Sequence, residues 1–262
     1  MPRHIEIYID DVPVSITGPF IVQEVHEDPP AIELTEGERP GRAGMLLLSA
    51  KRQTLKVAAE IAIREVYDLS ARATHRETLT AWAHGLLNGQ HGGKTLRVSN
   101  HPYRHLAVAC TADPALGPVR DFTAVARAEF TAYQIPFWEN DIPELWTMTG
   151  VAASSSKVIP GTATAPVQLT VTPSEETLTT FTATVNGDFV ALTGLSVPAG
   201  SSLLFTRDPL DNLLITVAGA SVLSRRTQDS ADDLIAAPGL NNLSFSANTS
   251  CEVQARVYAR WR

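Results

Sequence analysis

The C-terminal stretch Cys251-Glu-Val-Gln-Ala-Arg-Val-Tyr-Ala-Arg-Trp-Arg262 decides how the second half of the chain folds. Its odd-numbered positions are apolar and its even-numbered positions are mostly polar, a period of two that is typical of a half-buried β-strand. The run before it, from residue 169 to residue 247, is poor in helix signals and rich in turns. A strand at this end of the sequence would therefore close a β-sandwich.

Turn chemistry divides the second half into short strands. Asn186-Gly187 separates two apolar alternations, at 181–185 and 189–192, and this pair favours a tight hairpin because both central residues need a positive φ. Further strands are predicted at residues 202–207, 213–218 and 243–246, between Asp-Pro and Pro-Gly segments. Many short strands with such turns indicate a sandwich or a barrel.

The first half is predicted to be α+β and mostly β. Strands are expected at residues 5–9 and 12–16 around an Asp10-Asp11 turn, and at residues 54–64, 94–98, 106–110 and 121–133, with Phe122 and Phe130 in one register. A single helix is indicated by the spacing of Leu79, Trp82, Leu86 and Leu87, with Thr74 or Thr78 as the N-cap and Asn88-Gly89 as the end.

Residues 24–44 form an irregular segment that contains two prolines in sequence and few apolar residues except Ile32 and Leu34. Such a segment is predicted to be an exposed loop or hairpin arm. The alternative is an arm that reaches a neighbouring subunit.

A change of character between residues 135 and 166 predicts the boundary between two domains. Proline-containing aromatic segments are followed there by the small polar run Ala152-Ala-Ser-Ser-Ser156, and such stretches avoid regular structure. We therefore expect an N-terminal domain over residues 1–150 and a C-terminal β-sandwich over residues 151–262.

Size and charge exclude several classes of protein. At 262 residues the chain can form two cores without disulfides, and Cys110 and Cys251 are expected to be reduced and buried. The net charge of −7, without clustered Lys and Arg, argues against nucleic-acid binding. No signal peptide and no apolar run of membrane-spanning length is found, which predicts folding in a cytoplasm without membrane insertion.

The motifs give no support for catalysis. Five of the seven histidines lie between His75 and His105, but none is paired with another on a predicted helix or on adjacent strands beside a carboxylate or cysteine, as a metal site usually requires. Adjacent acids, such as Asp232-Asp233, lie in turn-like sequence, and neighbours on a strand would face opposite ways. Neither a Gly-x-Ser-x-Gly elbow nor a glycine-rich phosphate loop is present. We therefore predict no catalytic residue, no cofactor, no metal and no enzymatic activity.

One candidate binding surface lies on the outward face of the last strand. Arg256, Tyr258 and Arg260 could form one wall of a sugar site, since aromatic rings stack on sugars and Arg reaches hydroxyl groups. A solvated edge or a contact with another subunit is the competing interpretation of the same three residues.

The order of these parts resembles the distal tail proteins of long-tailed bacteriophages and prophages, the Dit family. The resemblance is carried by the 54–64 strand before a short helix, the long 121–133 strand with its Ile135-Pro-Phe-Trp-Glu139 exit, and Asn186-Gly187. It continues in Asp233-Leu-Ile-Ala-Ala-Pro-Gly-Leu-Asn-Asn-Leu-Ser-Phe245 and in the closing strand, and so covers nearly the whole chain.

The resemblance implies a fold and a role. A split-barrel-like N-terminal domain would form a homo-hexameric ring, with a galectin-like sandwich outside it. The ring would link the tail tube protein to the baseplate hub and carry receptor-binding proteins in the virion tail. The arm, with Ile32, Leu34, Arg39 and Arg42 as candidate contact residues, would contribute to the ring. The alternative is a carbohydrate-binding module fused to an assembly domain, which would bind a host glycan.

Overall fold

The computed structural model describes residues 5–28, 30–38, 45–86 and 94–262, with side chains outside the description at residues 36–38 and 45–52. The chain is mostly β and divides into two compact units, Met1–Trp138 and Glu139–Arg262. Among the described residues, no helix is both long and apolar enough to span a membrane.

The described residues of unit 1 form an antiparallel sheet, a separate two-stranded sheet and one α-helix. Its elements are β1 (Ile7–Ile9), β2 (Val12–Pro13), β3 (Phe20–Asp28), β4 (Ile32–Glu38), β5 (Met45–Arg52), β6 (Leu55–Ile63), α1 (Leu69–Ala83), β7 (Lys94–Val98), β8 (Arg104–Leu116) and β9 (Ala124–Ala132). The strands lie in the order β2-β1-β7-β8-β9-β6-β3, while β4 and β5 pair only with each other. A short strand β10 (Trp138–Asn140) follows at the division between the units.

The core of unit 1 follows from alternation on its central strands. Every second residue of β6, from Leu55 to Ile63, is buried, and the inward positions of β9 are alanines apart from Phe130. Small residues leave room for the helix, whose Trp82 packs edge-on against Phe130 at 6.1 Å between ring centroids. An aromatic contact therefore joins α1 to β9, and the sequence predicted a helix and a strand at both places.

The helix begins earlier than predicted. Asp68, and neither Thr74 nor Thr78, is the N-cap, because its carboxylate accepts a hydrogen bond from the Ala71 N–H at 2.8 Å. Both threonine hydroxyls instead donate to carbonyls one turn back within the helix. The helix ends at Ala83, before Gly85 at a φ of +65°. Leu87 and the predicted Asn88-Gly89 end lie outside the described residues.

Unit 2 is a sheet that folds over on itself. Its strands are β11 (Glu144–Ile159), β12 (Ala165–Pro173), β13 (Leu178–Val185), β14 (Asp188–Val197), β15 (Leu203–Arg207), β16 (Leu213–Val217), β17 (Ala220–Ser221), β18 (Ile235–Ala236), β19 (Gly239–Val257) and β20 (Arg260–Trp261). The path is β14-β13-β19-β12-β15-β16-β17, with β11 on the other side of β19.

The long strand β19 holds the two halves of this sheet together. Its first half pairs with β13, and its second half pairs with β12. Phe181 of β13 stacks on Phe245 at 6.0 Å and contacts Phe205 of β15, in the other half, at 5.9 Å between ring centroids. The two halves therefore face each other across one apolar core, as expected of a sandwich.

The small polar run at residues 152–156 was predicted to avoid regular structure, and this prediction is wrong. These residues lie within β11, in continuous register with β19, where Ser154 is opposite Ser244 and Ser156 is opposite Asn242. Pairing with a long central strand overrides the weak β-propensity of serine. The structural division falls after Trp138, whereas residue 150 lies inside β11.

Candidate interaction surfaces

The segment between β3 and β6 is a β-hairpin arm. β4 and β5 form an isolated two-stranded sheet, closed at its base by a hydrogen bond from the Gln53 N–H to the Ala31 carbonyl at 2.8 Å. Ile32 and Leu34, two positions apart on one face, are each more than half exposed. A lone hairpin is only marginally stable in water. The arm therefore presents apolar side chains that its own unit does not cover. Arg39 and Arg42 lie outside the described residues.

A second exposed apolar surface surrounds a tight turn between β8 and β9. Tyr67, Leu69 and Phe122 are 67%, 84% and 61% exposed. The rings of Tyr67 and Phe122 lie 5.6 Å apart, and the Val66 N–H donates to the Phe122 carbonyl at 3.0 Å. We call these three side chains the turn patch. Contiguous exposed aromatic surface is typical of a protein–protein contact.

The turn that carries Phe122 is strained. Asp121 and Phe122 have φ values of +48° and +59°, and the flanking Arg120 and Thr123 exchange two backbone hydrogen bonds of 2.8 Å. Positive φ at a bulky residue is a genuine outlier. The sequence had placed Phe122 in strand register with Phe130, which is wrong, because β9 begins only at Ala124. The alternation of β9 alone could not reveal a turn without glycine or asparagine at its centre.

A half-buried network in unit 1 joins β3 to Trp138 and to the connection between β7 and β8. Glu27 accepts from the indole N–H of Trp138 at 3.0 Å and bonds to the His101 ring at 2.6 Å, and that ring packs against Trp138. Burial alone would raise the pKa of Glu27, but the bonds from His101 and Trp138 and the charge of Arg104 hold it below its usual value. The carboxylate therefore fixes the buried Trp138.

The three residues of the predicted sugar surface are not brought together. Arg256 is exposed and Tyr258 is half-buried, whereas Arg260 is 6% exposed. The chain leaves β19 at Val257, so the alternation breaks and Arg260 points inward. Its guanidinium binds both carboxylate oxygens of Asp211, at 2.8 and 3.0 Å, and Glu139 at 2.8 Å. These bonds outweigh burial and raise the pKa of Arg260.

Contacts within unit 2 protect two of its edge strands, β14 and β11. The segment after β17 bonds to β14, where the Thr227 N–H donates to the Ala191 carbonyl at 2.9 Å. At β11, the Lys157 ammonium donates to the Leu145 carbonyl at 2.9 Å and pairs with Glu144 at the same distance. A lysine on an edge strand discourages the addition of another strand.

Two histidines of the predicted group are hydrogen-bonded to carboxylates. His84 bonds to Asp113 at 2.8 Å and His101 bonds to Glu27. His91 lies outside the described residues. Both cysteines are free, as predicted, and burial raises the pKa of each thiol. Cys251 is buried, whereas Cys110 is half-buried.

No protein-family model matches the sequence, and no curated protein matches it. Among solved structures, the chain is similar to the Dit protein (gp 19.1) of phage SPP1, described as a paradigm of the hub adsorption apparatus in phages that infect Gram-positive bacteria. The TM-score is 0.73 at 14% identity, over 96% of this chain and 98% of that one.

A chain of the phage P2 baseplate, in its activated conformation with Ca, covers 97% of this chain and 98% of its own at 8% identity. Its TM-score of 0.46 is too low to support a structural argument. The likeness to the SPP1 protein confirms the predicted resemblance at the level of the fold. The chain therefore shares the fold of the SPP1 Dit protein over almost the full length of both.

Proposed function

We propose that this chain is a distal tail protein, a structural component of a phage or prophage tail. In this proposal six copies form a ring that links the tail tube protein to the baseplate hub and carries receptor-binding proteins. The protein assembles in the cytoplasm of the bacterial host and remains in the virion tail. It performs no catalysis.

The observation that carries this proposal is the fold likeness to the SPP1 Dit protein, which includes both units. A shared module would support only a shared domain, whereas 96% and 98% coverage extends the likeness to the order of the parts. Because fold alone does not fix function, the surfaces of the chain must supply the remaining support.

Those surfaces fit an assembling protein. The hairpin arm exposes Ile32 and Leu34, and the turn patch exposes Tyr67, Leu69 and Phe122. The arm and the patch are different surfaces on one unit, as a ring requires, because a heterologous contact joins unlike surfaces of neighbouring copies. We propose that unit 1 forms the ring.

Electron microscopy of the purified full chain at high concentration tests this proposal. Closed rings with six-fold symmetry in the averaged images are expected, and the tail tube protein of the same phage or prophage, when added, should stack on one face of the ring. The matched variant Ile32→Ser/Leu34→Ser should lower the number of rings without lowering the melting temperature. Single particles of one chain's size under all conditions, with and without the tube protein, would contradict the proposal.

The carbohydrate-binding alternative has weaker support. Its surface needs Arg256, Tyr258 and Arg260 together, but Arg260 is held inside unit 2 by Asp211 and Glu139. A glycan array would test it directly. Binding that is lost in Arg256→Ala would favour the alternative.

A further inference from the structure

A β-bulge in β3 brings three metal-ligating side chains to one place on unit 1. The pairing of β3 with β6 shifts register between Val22 and Glu24. Before the shift Phe20 and Val22 are buried; after it Glu24 and His26 are exposed and Glu27 turns inward to Trp138. Without the extra residue, period-two alternation would send Glu24 and His26 into the core.

The bulge places these two side chains beside a carboxylate of the neighbouring strand. Glu24 lies directly opposite Glu60 of β6, and Glu60 belongs to the outward set of that strand. One ligand atom from each of Glu24, His26 and Glu60 lies within 4.8 Å of the others. The Glu24 Oε2 and His26 Nε2 atoms are 3.4 Å apart.

We propose that Glu24, His26 and Glu60 bind a divalent transition-metal ion, with Zn²⁺ as the best fit, between β3 and β6. Two ligands at 2.0–2.1 Å from a tetrahedral zinc ion lie about 3.4 Å apart, which the Glu24–His26 pair already satisfies. The imidazole favours zinc over calcium or magnesium, which prefer oxygen ligands alone. Water would complete the coordination.

The charges around the three residues support a cation there. Two like charges directly opposite each other on neighbouring strands are destabilising, and Glu24 faces Glu60 in this way. Arg127 of β9 is opposite Glu60, but its guanidinium pairs with Glu129 at 2.9 Å. Among the described residues, Glu60 has no ion-pair partner. A bound cation would remove this repulsion.

The site also has a structural consequence. β3 and β6 are the two strands from which the hairpin arm leaves and to which it returns. A metal ion that joins them would fix the base of the arm. This inference rests on unit 1 alone and does not depend on the tail assignment.

Calorimetric titration of the metal-stripped full chain with ZnCl₂ tests the proposal. One ion per chain is expected, and His26→Gln or Glu60→Gln should weaken binding by at least ~10-fold. The control is Asp28→Asn, which removes one negative charge from the same face of β3 but no ligand. Binding should also weaken on acidification, because zinc ligands must be deprotonated.

A second measurement keeps the test decisive. Hydrogen exchange of β3 and β6 amides should slow on addition of zinc in the wild type and in Asp28→Asn, but not in His26→Gln. Equal weakening by Glu60→Gln and Asp28→Asn, with no weakening by His26→Gln, would show that net charge alone attracts the ion, and would overturn the proposal. Zinc binding unchanged in both ligand variants, or no binding in the wild type, would also overturn it.

Discussion

Two tight turns, one in each unit, both have a positive φ at their two central residues but differ sharply in sequence. In unit 2 the β13–β14 turn has Asn186 and Gly187 at φ values of +53° and +103°, and in unit 1 Asp121 and Phe122 take +48° and +59°. Asn-Gly adopts such angles at little cost, whereas a phenylalanine pays in strain of about 1–3 kcal/mol. In unit 2 the residues of the turn therefore suit the hairpin that they close.

The two turns also differ in the contacts that their side chains make. Asn186 is bonded to the buried Asn241 at 2.7 Å and accepts the Asn242 N–H at 2.9 Å. Phe122 has an exposed ring that packs against another exposed ring, that of Tyr67. Strain retained at an exposed aromatic is a sign of function, and we expect that function to be contact with another chain.

The largest expected effect is in unit 2. Asn241→Ala should lower the free energy of unfolding by about 3 kcal/mol, because Asn241 bonds both backbone groups of Ala237, the Gly239 carbonyl and the Asn186 amide in a buried site. Urea unfolding measures it. The exposed neighbour change Asn242→Ala is the control and should cost much less. Equal losses of stability in the two variants would show that the buried hydrogen bonds of Asn241 do not stabilise the turn.

The next effect tests the glycine of the same turn. Gly187→Ala should destabilise the chain by about 1 kcal/mol through its positive φ alone, since a Cβ there would have no atom within 4 Å. Thermal melting of the two proteins side by side gives the difference. An unchanged melting temperature would mean that the turn relaxes into another type.

In unit 1 the reverse kind of substitution, to glycine, is expected to stabilise the turn. Phe122→Gly should raise the free energy of unfolding by up to about 1 kcal/mol, because it relieves the strained φ, and should weaken self-association. The same melting experiment, run at low protein concentration, isolates the stability. A clear loss of stability would show that the Tyr67–Phe122 contact serves the fold of unit 1.

The smallest effect is a pH dependence. The pKa of Glu27 is lower in the folded chain than its ordinary value of 4.5, so the unfolded chain binds more protons near that pH. The stabilisation is present above about pH 4.5 and is lost as the pH falls through the lowered pKa. Melting temperatures from pH 7 to pH 3 should therefore fall less in Glu27→Gln than in the wild type. Parallel curves would contradict the role of His101 and Trp138.

Much of the fold could be predicted from the sequence because alternation and turn chemistry are local. The Asp10-Asp11 and Asn186-Gly187 turns, the 94–98 strand and the terminal alternation up to Val257 are all found. The run at 152–156 was misjudged because its strand depends on pairing with β19, which is distant in sequence. Local propensity cannot report such a partner.

The candidate sites were harder to predict for the same reason. Arg260 changes face because the strand is interrupted after Val257, and Glu24 and His26 change face because of a bulge. A single irregular residue reverses which side chains share a surface, and no periodic pattern marks it. The sequence could place Glu60 on the outer face of its strand, but it could not show that Glu24 and His26 lie beside it.

Light scattering of the wild type and Phe122→Gly across one concentration series tests the central claim that unit 1 exposes surfaces for assembly. The account predicts a rise to the mass of six chains for the wild type, and a rise displaced to at least ~10-fold higher concentration for the variant, consistent with the loss of about 1.4 kcal/mol of contact. A wild type that stays at the mass of one chain, or two identical curves, would contradict it.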